Sequence, residues 1–201
     1  MVEAIDRADP QLVAITGDLI DNRTDLADAD ELCRQISRSG RNVVATLGNW
    51  EHRSGHDIED VAKLYKTCDI ELLVNDSMQL DDGLIVAGTD DGATGRADLP
   101  ATVRALPDGD VKLLLTHAPG LLDVLLDVGT TFDLTLSGHT HGGQVKFGPF
   151  APMRPAGSGP FVSGMYDTSI GPAYVSRGVG TTLLPVRFFC RPELAIFELR
   201  R

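Results

Sequence analysis

The sequence predicts an α/β fold with a largely parallel core, and three observations lead to that prediction. Short apolar runs typical of buried strands alternate with amphipathic helical stretches through the first two thirds of the 201-residue chain. The last third is rich in Gly and Pro and carries short strand patterns, which indicates hairpins and added antiparallel pairs. Hydrophobic residues make up 42% and charged residues 23% of the chain, as is usual for a soluble globular protein. We expect residues 1–201 to form a single domain.

Helices are predicted where apolar residues recur at helical spacing between boundary signals. The clearest stretch is 25–39, which places its apolar residues on one face and is followed by Gly40 as a C-terminal stop. The first helix ends before Pro10, which cannot continue it. The predicted helices cover 2–8, 25–39, 58–68, 99–106 and 121–128.

Strands are predicted over short apolar runs bounded by turn residues. These runs cover 12–16, 42–47, 70–74, 78–80, 84–87, 111–115, 132–136, 174–177 and 194–199. In an alternating pattern the helix over 2–8 should follow a strand, yet no strand pattern precedes it. We therefore expect a first strand to be missing at the N-terminal side of this sequence.

The net charge and the cysteines of the chain argue against some classes of function. The formal net charge of −11 argues against nucleic-acid binding and against docking on an anionic membrane through a basic patch. The three cysteines, Cys33, Cys68 and Cys190, form no CxxC pair and indicate idle thiols in a reducing compartment. No apolar run approaches the ~20 residues that cross a bilayer, and the polar first residues do not resemble a signal peptide. As it stands, the chain is expected in the cytoplasm.

The most informative motif is the SGHTHGGQ run at 137–144, which holds two of the five histidines. It follows the apolar run 132–136, which is predicted to be a buried strand. Alternate side chains of a strand point the same way, so this spacing would aim His139 and His141 at one small volume. The neighbouring glycines let backbone or ligand approach closely. The motif therefore predicts a metal site.

Polar side chains also follow three other predicted strands. Asp18, Asn49 and His117 each stand at the carboxyl end of a strand, as His139 and His141 do. In open α/β sheets, ligands bind outside the carboxyl ends of the strands, so we expect all five side chains to meet on one rim.

The residue types at this rim indicate a transition-metal site. One carboxylate, one amide oxygen and three imidazoles form a mixed O/N set that suits Mn, Fe, Zn or Co better than Mg or Ca. Taken singly, each residue has another interpretation. Asp18 and Asn49 are also typical turn residues, and His117 could be a hydrogen-bonded core histidine. The metal interpretation depends on the joint pattern.

Four motifs, in this order, resemble the successive motifs of the calcineurin-like metallophosphoesterases: GDLID at 17–21, GNWE at 48–51, His117, and GHTH at 138–141. The resemblance covers nearly the whole chain. The runs at 175–180 and 189–194 are similar to a branch of membrane-associated phosphodiesterases. The resemblance implies stacked mixed β-sheets flanked by helices.

The resemblance also implies residue roles and a cofactor. Asp18 would bridge two divalent metal ions, Asn49, His117 and His139 would complete one site, and His141 would bind the other ion. A hydroxide held between the ions would attack the phosphorus of a small phosphomonoester or phosphodiester.

The chain departs from the family at its first motif, an Asp-x-His that supplies two ligands to the ion of His141. No Asp-x-His occurs in this sequence. We therefore expect an N-terminally incomplete domain whose second metal site is incomplete and whose fold is poorly stable. Membrane association is expected only through a missing N-terminal segment.

A second departure concerns proton transfer. Trp50 occupies a position where the family usually has a catalytic histidine, and tryptophan is no acid or base at neutral pH. His52 lies two residues further on and is the candidate catalytic residue for the leaving group; the alternative is a surface loop histidine. Asp90 and Asp91 follow another predicted strand and either contact substrate or form a turn.

Metal-dependent hydrolysis of a phosphoester is therefore the leading functional hypothesis. The alternative is a catalytically impaired relative that binds one metal ion and acts as a binding module. A nuclease is disfavoured because the chain is acidic and shows no basic aromatic groove.

Overall fold

The computed structural model describes residues 1–123, 128–147, 150–182 and 184–200. Helices and strands alternate through this part of the chain. The helices are α1 (Val2–Ala8), α2 (Leu26–Ser37), α3 (Ile58–Thr67) and α4 (Leu99–Arg104). The strands are β1 (Leu12–Ile15), β2 (Asn42–Ala45), β3 (Glu71–Leu72), β4 (Asp76–Gln79), β5 (Ile85–Gly88), β6 (Lys112–Thr116), β7 (Leu134–Ser137), β8 (Gly164–Thr168) and β9 (Gly171–Val175).

The strands form two sheets. The first has the order β1-β2-β3 and is parallel throughout. The second has the order β4-β5-β6-β7-β9-β8, in which β5, β6, β7 and β9 are parallel while β4 and β8 are added antiparallel. The predicted α/β class with a parallel core and antiparallel additions is confirmed.

Three apolar layers hold the sheets and helices together, and the alternation of each strand assigns its residues to a layer. In β2, Val43 packs with Ile36 of α2 in the layer between the first sheet and the helices. The next residue, Val44, packs with Val86 and Leu115 in the layer between the two sheets. The two sheets are therefore stacked face to face.

The outer face of the second sheet carries the third layer. Ala87 and Leu114, each next in sequence to a residue of the inter-sheet layer, turn outwards and pack with Leu99 of α4 and with Phe132. Helices thus lie on both outer sides of the stacked sheets, as the resemblance implied.

Helix α2 shows why these elements form where the sequence predicts them. Asp25 precedes the helix with extended backbone, and its side chain accepts a hydrogen bond from the backbone N–H of Ala27. Ala29, Cys33 and Ile36 are buried at helical spacing against the first sheet.

The strand predicted over 194–199 is wrong: the described residues there form no strand. Strand β1 is the edge of its sheet, and the C-terminal residues lie with it on the wall of one cleft of about 1640 Å³. A strand needs a hydrogen-bonding neighbour, and this extended segment has none among the described residues. Its position is instead fixed by side chains, including the edge contact between the rings of Phe197 and Tyr174, with centroids 5.0 Å apart.

The helix predicted over 121–128 overlaps a short 3₁₀ helix, Pro119–Asp123. Residues 124–127 of that prediction lie outside the described ranges. Among the described residues, no helix is long and apolar enough to cross a membrane.

Candidate metal centre

Four loops meet at the carboxyl ends of strands from both sheets. Asp18 follows β1 and Asn49 follows β2 in the first sheet, whereas His117 follows β6 and His139 follows β7 in the second. Asp18 and His139 have left-handed backbone, with φ of 58° and 66°, so the chain turns sharply at both positions. The predicted common rim is therefore built from the facing ends of two stacked sheets.

The side chains of these residues converge on one nitrogen atom. Nε2 of His117 lies 3.1 Å from Oδ2 of Asp18, 3.0 Å from Nδ1 of His139 and 3.3 Å from Oδ1 of Asn49. The imidazole of His117 is fully buried, and Asn49 and His139 are also buried. Four potential metal ligands from four loops thus surround one small volume.

Hydrogen bonds on the far side of each ring orient the two histidines. Nδ1 of His117 lies 2.6 Å from the carbonyl oxygen of Thr16, and Nε2 of His139 lies 2.8 Å from that of Ala156. A carbonyl oxygen only accepts, so each of these two nitrogens carries a hydrogen. When both rings are neutral, the nitrogens that face each other at 3.0 Å both present lone pairs.

Two facing lone pairs repel, and the oxygens of Asp18 and Asn49 add further acceptors to the same volume. A cation satisfies all four groups at once, and a carbonyl partner behind each imidazole is the usual support of a metal-binding histidine. The residues present therefore fit a divalent metal ion with mixed O/N ligands.

In the metal-free protein, the proximity of Asp18, His117 and His139 shifts the pKa of each side chain. Burial acts to raise the pKa of Asp18, but the hydrogen bond and charge of His117 hold it below the ordinary value. Burial acts to lower the pKa of His117, yet the carboxylate of Asp18 raises it. Burial and the charge of His117 lower the pKa of His139. In the metal-free protein these shifts favour a carboxylate on Asp18, an imidazolium on His117 and a neutral ring on His139.

Two glycines allow the loops to come this close. A Cβ on Gly17 would lie 2.6 Å from the backbone nitrogen of Gly48 and 2.7 Å from Nδ1 of His117. A Cβ on Gly48 would overlap Oδ1 of Asp18 and lie 2.7 Å from Cε1 of His117. The space that these side chains would need is occupied by the candidate ligands and by the backbone of the facing loop.

Glu51 fixes the two loops of the first sheet to each other. Its carboxylate accepts hydrogen bonds from the backbone N–H groups of Asp18 (2.9 Å), Leu19 (2.7 Å), Ile20 (3.1 Å) and Gly48 (2.8 Å). The residue is 1% exposed. Burial and the charge of Asp18 raise its pKa, while these backbone donors act in the opposite direction.

Sequence reasoning did not assign Glu51 a role. The available signal was its position two residues after Asn49, inside the GNWE run. Nothing local indicates that its carboxylate reaches back 33 residues to the loop of Asp18.

His141 is set apart from the four converging side chains. It lies on the wall of the same cleft as Asp18, and its Nδ1 is buried without a hydrogen-bond partner among the described residues. Burial, followed by the charge of Arg187, lowers its pKa, which favours the neutral ring that binds metal ions. The structure therefore brings together four of the five predicted ligands and leaves His141 facing the cleft separately.

The strand-alternation argument for the two histidines is wrong. Strand β7 ends at Ser137, and both His139 and His141 have left-handed backbone, with φ of 66° and 50°. The period-two rule applies only within a strand, so it does not set the directions of these two imidazoles, which both line the same cleft.

His52 is not a free surface histidine. Its Nε2 lies 2.6 Å from Oδ1 of Asp90, and both side chains are largely buried, at 9% and 11% exposure. Its Nδ1 makes no hydrogen bond within the described ranges. Asp91 takes the turn interpretation, because its carboxylate accepts from the backbone N–H groups of Ala93 and Thr94.

Comparison with known proteins agrees with this architecture. A sequence model described as Metallophos, calcineurin-like phosphoesterase, matches residues 1–143. The chain is 30% identical over its full length to the uncharacterized metallophosphoesterase YkuE of Bacillus subtilis, of which it covers 71%. It is 34% identical over its full length to the uncharacterized metallophosphoesterase Cj0846 of Campylobacter jejuni, of which it covers 53%. Over 57% of this chain and 40% of the relative, it is 36% identical to the phosphodiesterase YaeI of Escherichia coli.

Proposed function

Because the chain belongs to the calcineurin-like phosphoesterase family and is therefore a phosphoester hydrolase, we propose that Asp18, Asn49, His117 and His139 hold a divalent metal ion that serves this hydrolysis. One observation carries the proposal: Nε2 of His117 and Nδ1 of His139 face each other at 3.0 Å, beside two oxygen ligands. Mn, Fe, Zn or Co suits this ligand set.

A bound ion would supply a Lewis acid for the phosphoryl oxygens and lower the pKa of a water molecule beside it. The chain's own residues hold the geometry. Thr16 and Ala156 fix the tautomers of the two histidines through their carbonyl oxygens. Glu51 fixes the backbone that carries Asp18, and the backbone N–H of Trp50 donates to Oδ1 of Asp18 at 2.8 Å.

We further propose that His141 holds a second ion, with Asp18 shared between the two. The buried, unpartnered Nδ1 of His141 and its place in the same cleft as Asp18 support this assignment. A small phosphomonoester or phosphodiester is the proposed substrate, and the name of the relative YaeI supports a diester.

His52 is the proposed proton donor to the leaving group. Asp90 orients its ring through Nε2 and leaves Nδ1 available, and both residues follow strands whose carboxyl ends form the rim. General acid catalysis is worth about 10²–10⁴-fold and matters most for poor leaving groups. His52→Ala should therefore lower turnover of an alkyl phosphoester much more than that of a p-nitrophenyl phosphoester. Equal losses on both substrates would remove His52 from the mechanism.

Metal stoichiometry and turnover together test the proposal. We expect Mn²⁺ titration of the chelator-treated protein to show binding that Asp18→Asn or His139→Ala abolishes, together with hydrolysis of bis-p-nitrophenyl phosphate. His56→Ala is the matched control, because that ring binds the carbonyl oxygen of Thr24 away from the cluster. His141→Ala should remove only the second ion. Full metal binding by the Asp18 and His139 variants would refute the assigned ligands.

A second candidate function is supported by the separate position of His141. Only three of the titratable candidates, Asp18, His117 and His139, place ligand atoms within 4.8 Å of one another in the described part of the chain. A domain that binds one metal ion and serves as a binding module would need no more than this arrangement. One bound ion without turnover would favour this function over the hydrolase.

A further inference from the structure

The side chain of Arg187 is bound by backbone oxygens. Its guanidinium donates hydrogen bonds to the carbonyl oxygens of Arg177 (2.7 Å), Gly178 (3.2 Å), Gly180 (2.8 Å) and His141 (3.2 Å). None of the salt bridges among the described residues includes Arg187. Arginine presents five N–H donors in a rigid planar fork, so one side chain can fix several backbone segments at once. Arg187 therefore ties the loop that follows β9 to the loop that carries His141.

The loop that follows β9 also supplies a hydrogen-bond partner to the imidazole of His141. The ring forms a hydrogen bond with the backbone of Gly180. Because Nδ1 of His141 has no partner among the described residues, this bond uses Nε2. In the neutral ring, the lone pair of Nδ1 is then free to bind an ion. His117 and His139 have the same arrangement, with a carbonyl oxygen on one ring nitrogen and the other nitrogen at the candidate metal centre.

These contacts form a closed circuit around His141. Arg187 binds the carbonyl oxygen of His141 through Nη1 and that of Gly180 through Nε, and Gly180 in turn binds the imidazole. The position of the main chain and the direction of the ring therefore both depend on one guanidinium. His141 has left-handed backbone, with φ of 50°, a conformation that persists in a non-glycine residue only when its surroundings hold it.

Cys190 supports the same main chain but not the ring. Its Sγ donates to the carbonyl oxygens of His141 at 3.2 Å and of Gly142 at 3.4 Å. Within the described part of the chain, Cys190 forms no hydrogen bond with Gly180. Variants of Cys190 and of Arg187 therefore separate support of the His141 main chain from orientation of its imidazole.

We propose that Arg187 is a positioning residue for the second metal ion, because it holds the imidazole of His141 with Nδ1 free to bind that ion. This inference rests on the proposed second site and adds the residue that shapes it. Arg187 and Gly180 lie outside residues 1–143, which match the family model. A guanidinium is a permanent cation without a lone pair, so Arg187 acts through His141 and not as a ligand. Supports behind a metal ligand are typically worth about 10–100-fold in metal affinity.

¹⁵N NMR of the metal-free 201-residue chain tests the positioning without metal or turnover, with the His141 signals assigned by their absence in His141→Ala. We expect the parent ring to be mainly the Nε2–H tautomer, because the partner of one ring nitrogen sets the tautomer. Arg187→Met should show a mixture of both tautomers, and Arg187→Lys, which keeps the charge and some donors, should stay closer to the parent. Arg34→Met is the matched control, because Arg34 binds Asp30 and Thr67 on the helix side of the first sheet. An unchanged tautomer in Arg187→Met would overturn the proposal.

Calorimetric titration with Mn²⁺ measures the consequence for the second ion. Arg187→Met should weaken its binding at least about tenfold and Arg187→Lys about threefold, while Cys190→Ala should weaken it less than Arg187→Met. The first ion should bind all variants as it binds the parent, which also shows that they are folded. Loss of the first ion in Arg187→Met would overturn the proposal, because Arg187 would then support the whole fold.

The same titration separates this proposal from the second site on which it rests. Loss of one ion in His141→Ala, with full affinity for both ions in Arg187→Met, would overturn the role of Arg187 alone. Two ions bound by His141→Ala would overturn the second site itself, and with it the role of Arg187 toward that ion.

Discussion

Replacing Glu51 by Gln tests how the two loops of the first sheet are held. The substitution keeps the size of the side chain but replaces one carboxylate oxygen with an NH₂ group. Oε1 accepts from Leu19 and Ile20, and Oε2 from Asp18 and Gly48, so either orientation of the amide sets a donor against two backbone N–H groups. Two of the four hydrogen bonds are lost in both cases.

The expected magnitude follows from these contacts. Each hydrogen bond to a charged acceptor is worth about 1.5–3 kcal/mol, so the loss amounts to about 3–6 kcal/mol. Removing a buried negative charge next to Asp18 returns part of this, because burial and that charge already raise the pKa of Glu51. We expect the free energy of unfolding to fall by about 3 kcal/mol, a large share of the 5–15 kcal/mol that is typical of proteins.

Urea unfolding of the metal-free protein measures this effect, with the single tryptophan, Trp50, as a probe next to the substituted residue. Glu71→Gln is the matched control, because Glu71 is exposed on β3 and its substitution should change stability by less than about 0.5 kcal/mol. A loss below about 1 kcal/mol in Glu51→Gln would refute the view that these bonds hold the loops. Mn²⁺ affinity should fall in the same variant, because the substitution releases the loops that carry Asp18 and Asn49.

Four further predictions concern the metal centre and helix α2. Gly48→Ala should weaken Mn²⁺ binding at least tenfold in a calorimetric titration, because the new Cβ would overlap Asp18. Mn²⁺ affinity should also fall as the pH drops through the raised pKa of His117, since protons compete for its Nε2. In the metal-free protein kept in chelator, His117 stabilises the fold below its ordinary pKa of 6.5. This contribution to the free energy of unfolding is lost as the pH rises through the raised pKa of His117 in the folded state. Asp25→Ala should lower the melting temperature, with a loss of about 1 kcal/mol from the α2 cap, while Asp28→Ala should not.

The architecture was largely predictable because its signals are local. Strand and helix patterns in the first two thirds gave the parallel core, and polar residues after the strands gave the rim at which Asp18, Asn49, His117 and His139 meet. The strand pattern predicts the rim because parallel strands bring their carboxyl ends to one side of the sheet.

The remaining features depend on contacts between distant residues. The pairing of His52 with Asp90 spans 38 positions, and the reach of Glu51 to Asp18 spans 33, so neither leaves a local pattern. His139 and His141 have left-handed backbone after the strand end, which the glycine-rich run permits but does not specify, so strand alternation does not set where their rings point. The apolar run 194–199 has strand propensity, yet a strand exists only beside a partner.

The four converging candidate ligands are divided equally between the two stacked sheets, with Asp18 and Asn49 on one and His117 and His139 on the other. A bound ion would therefore act as a cross-link between the sheets, closing a loop of about a hundred residues between Asp18 and His117. Unfolding that begins by separation of the sheets must first release the ion. Chelation should consequently accelerate unfolding far more than it slows refolding, so the metal content sets the lifetime of the native state.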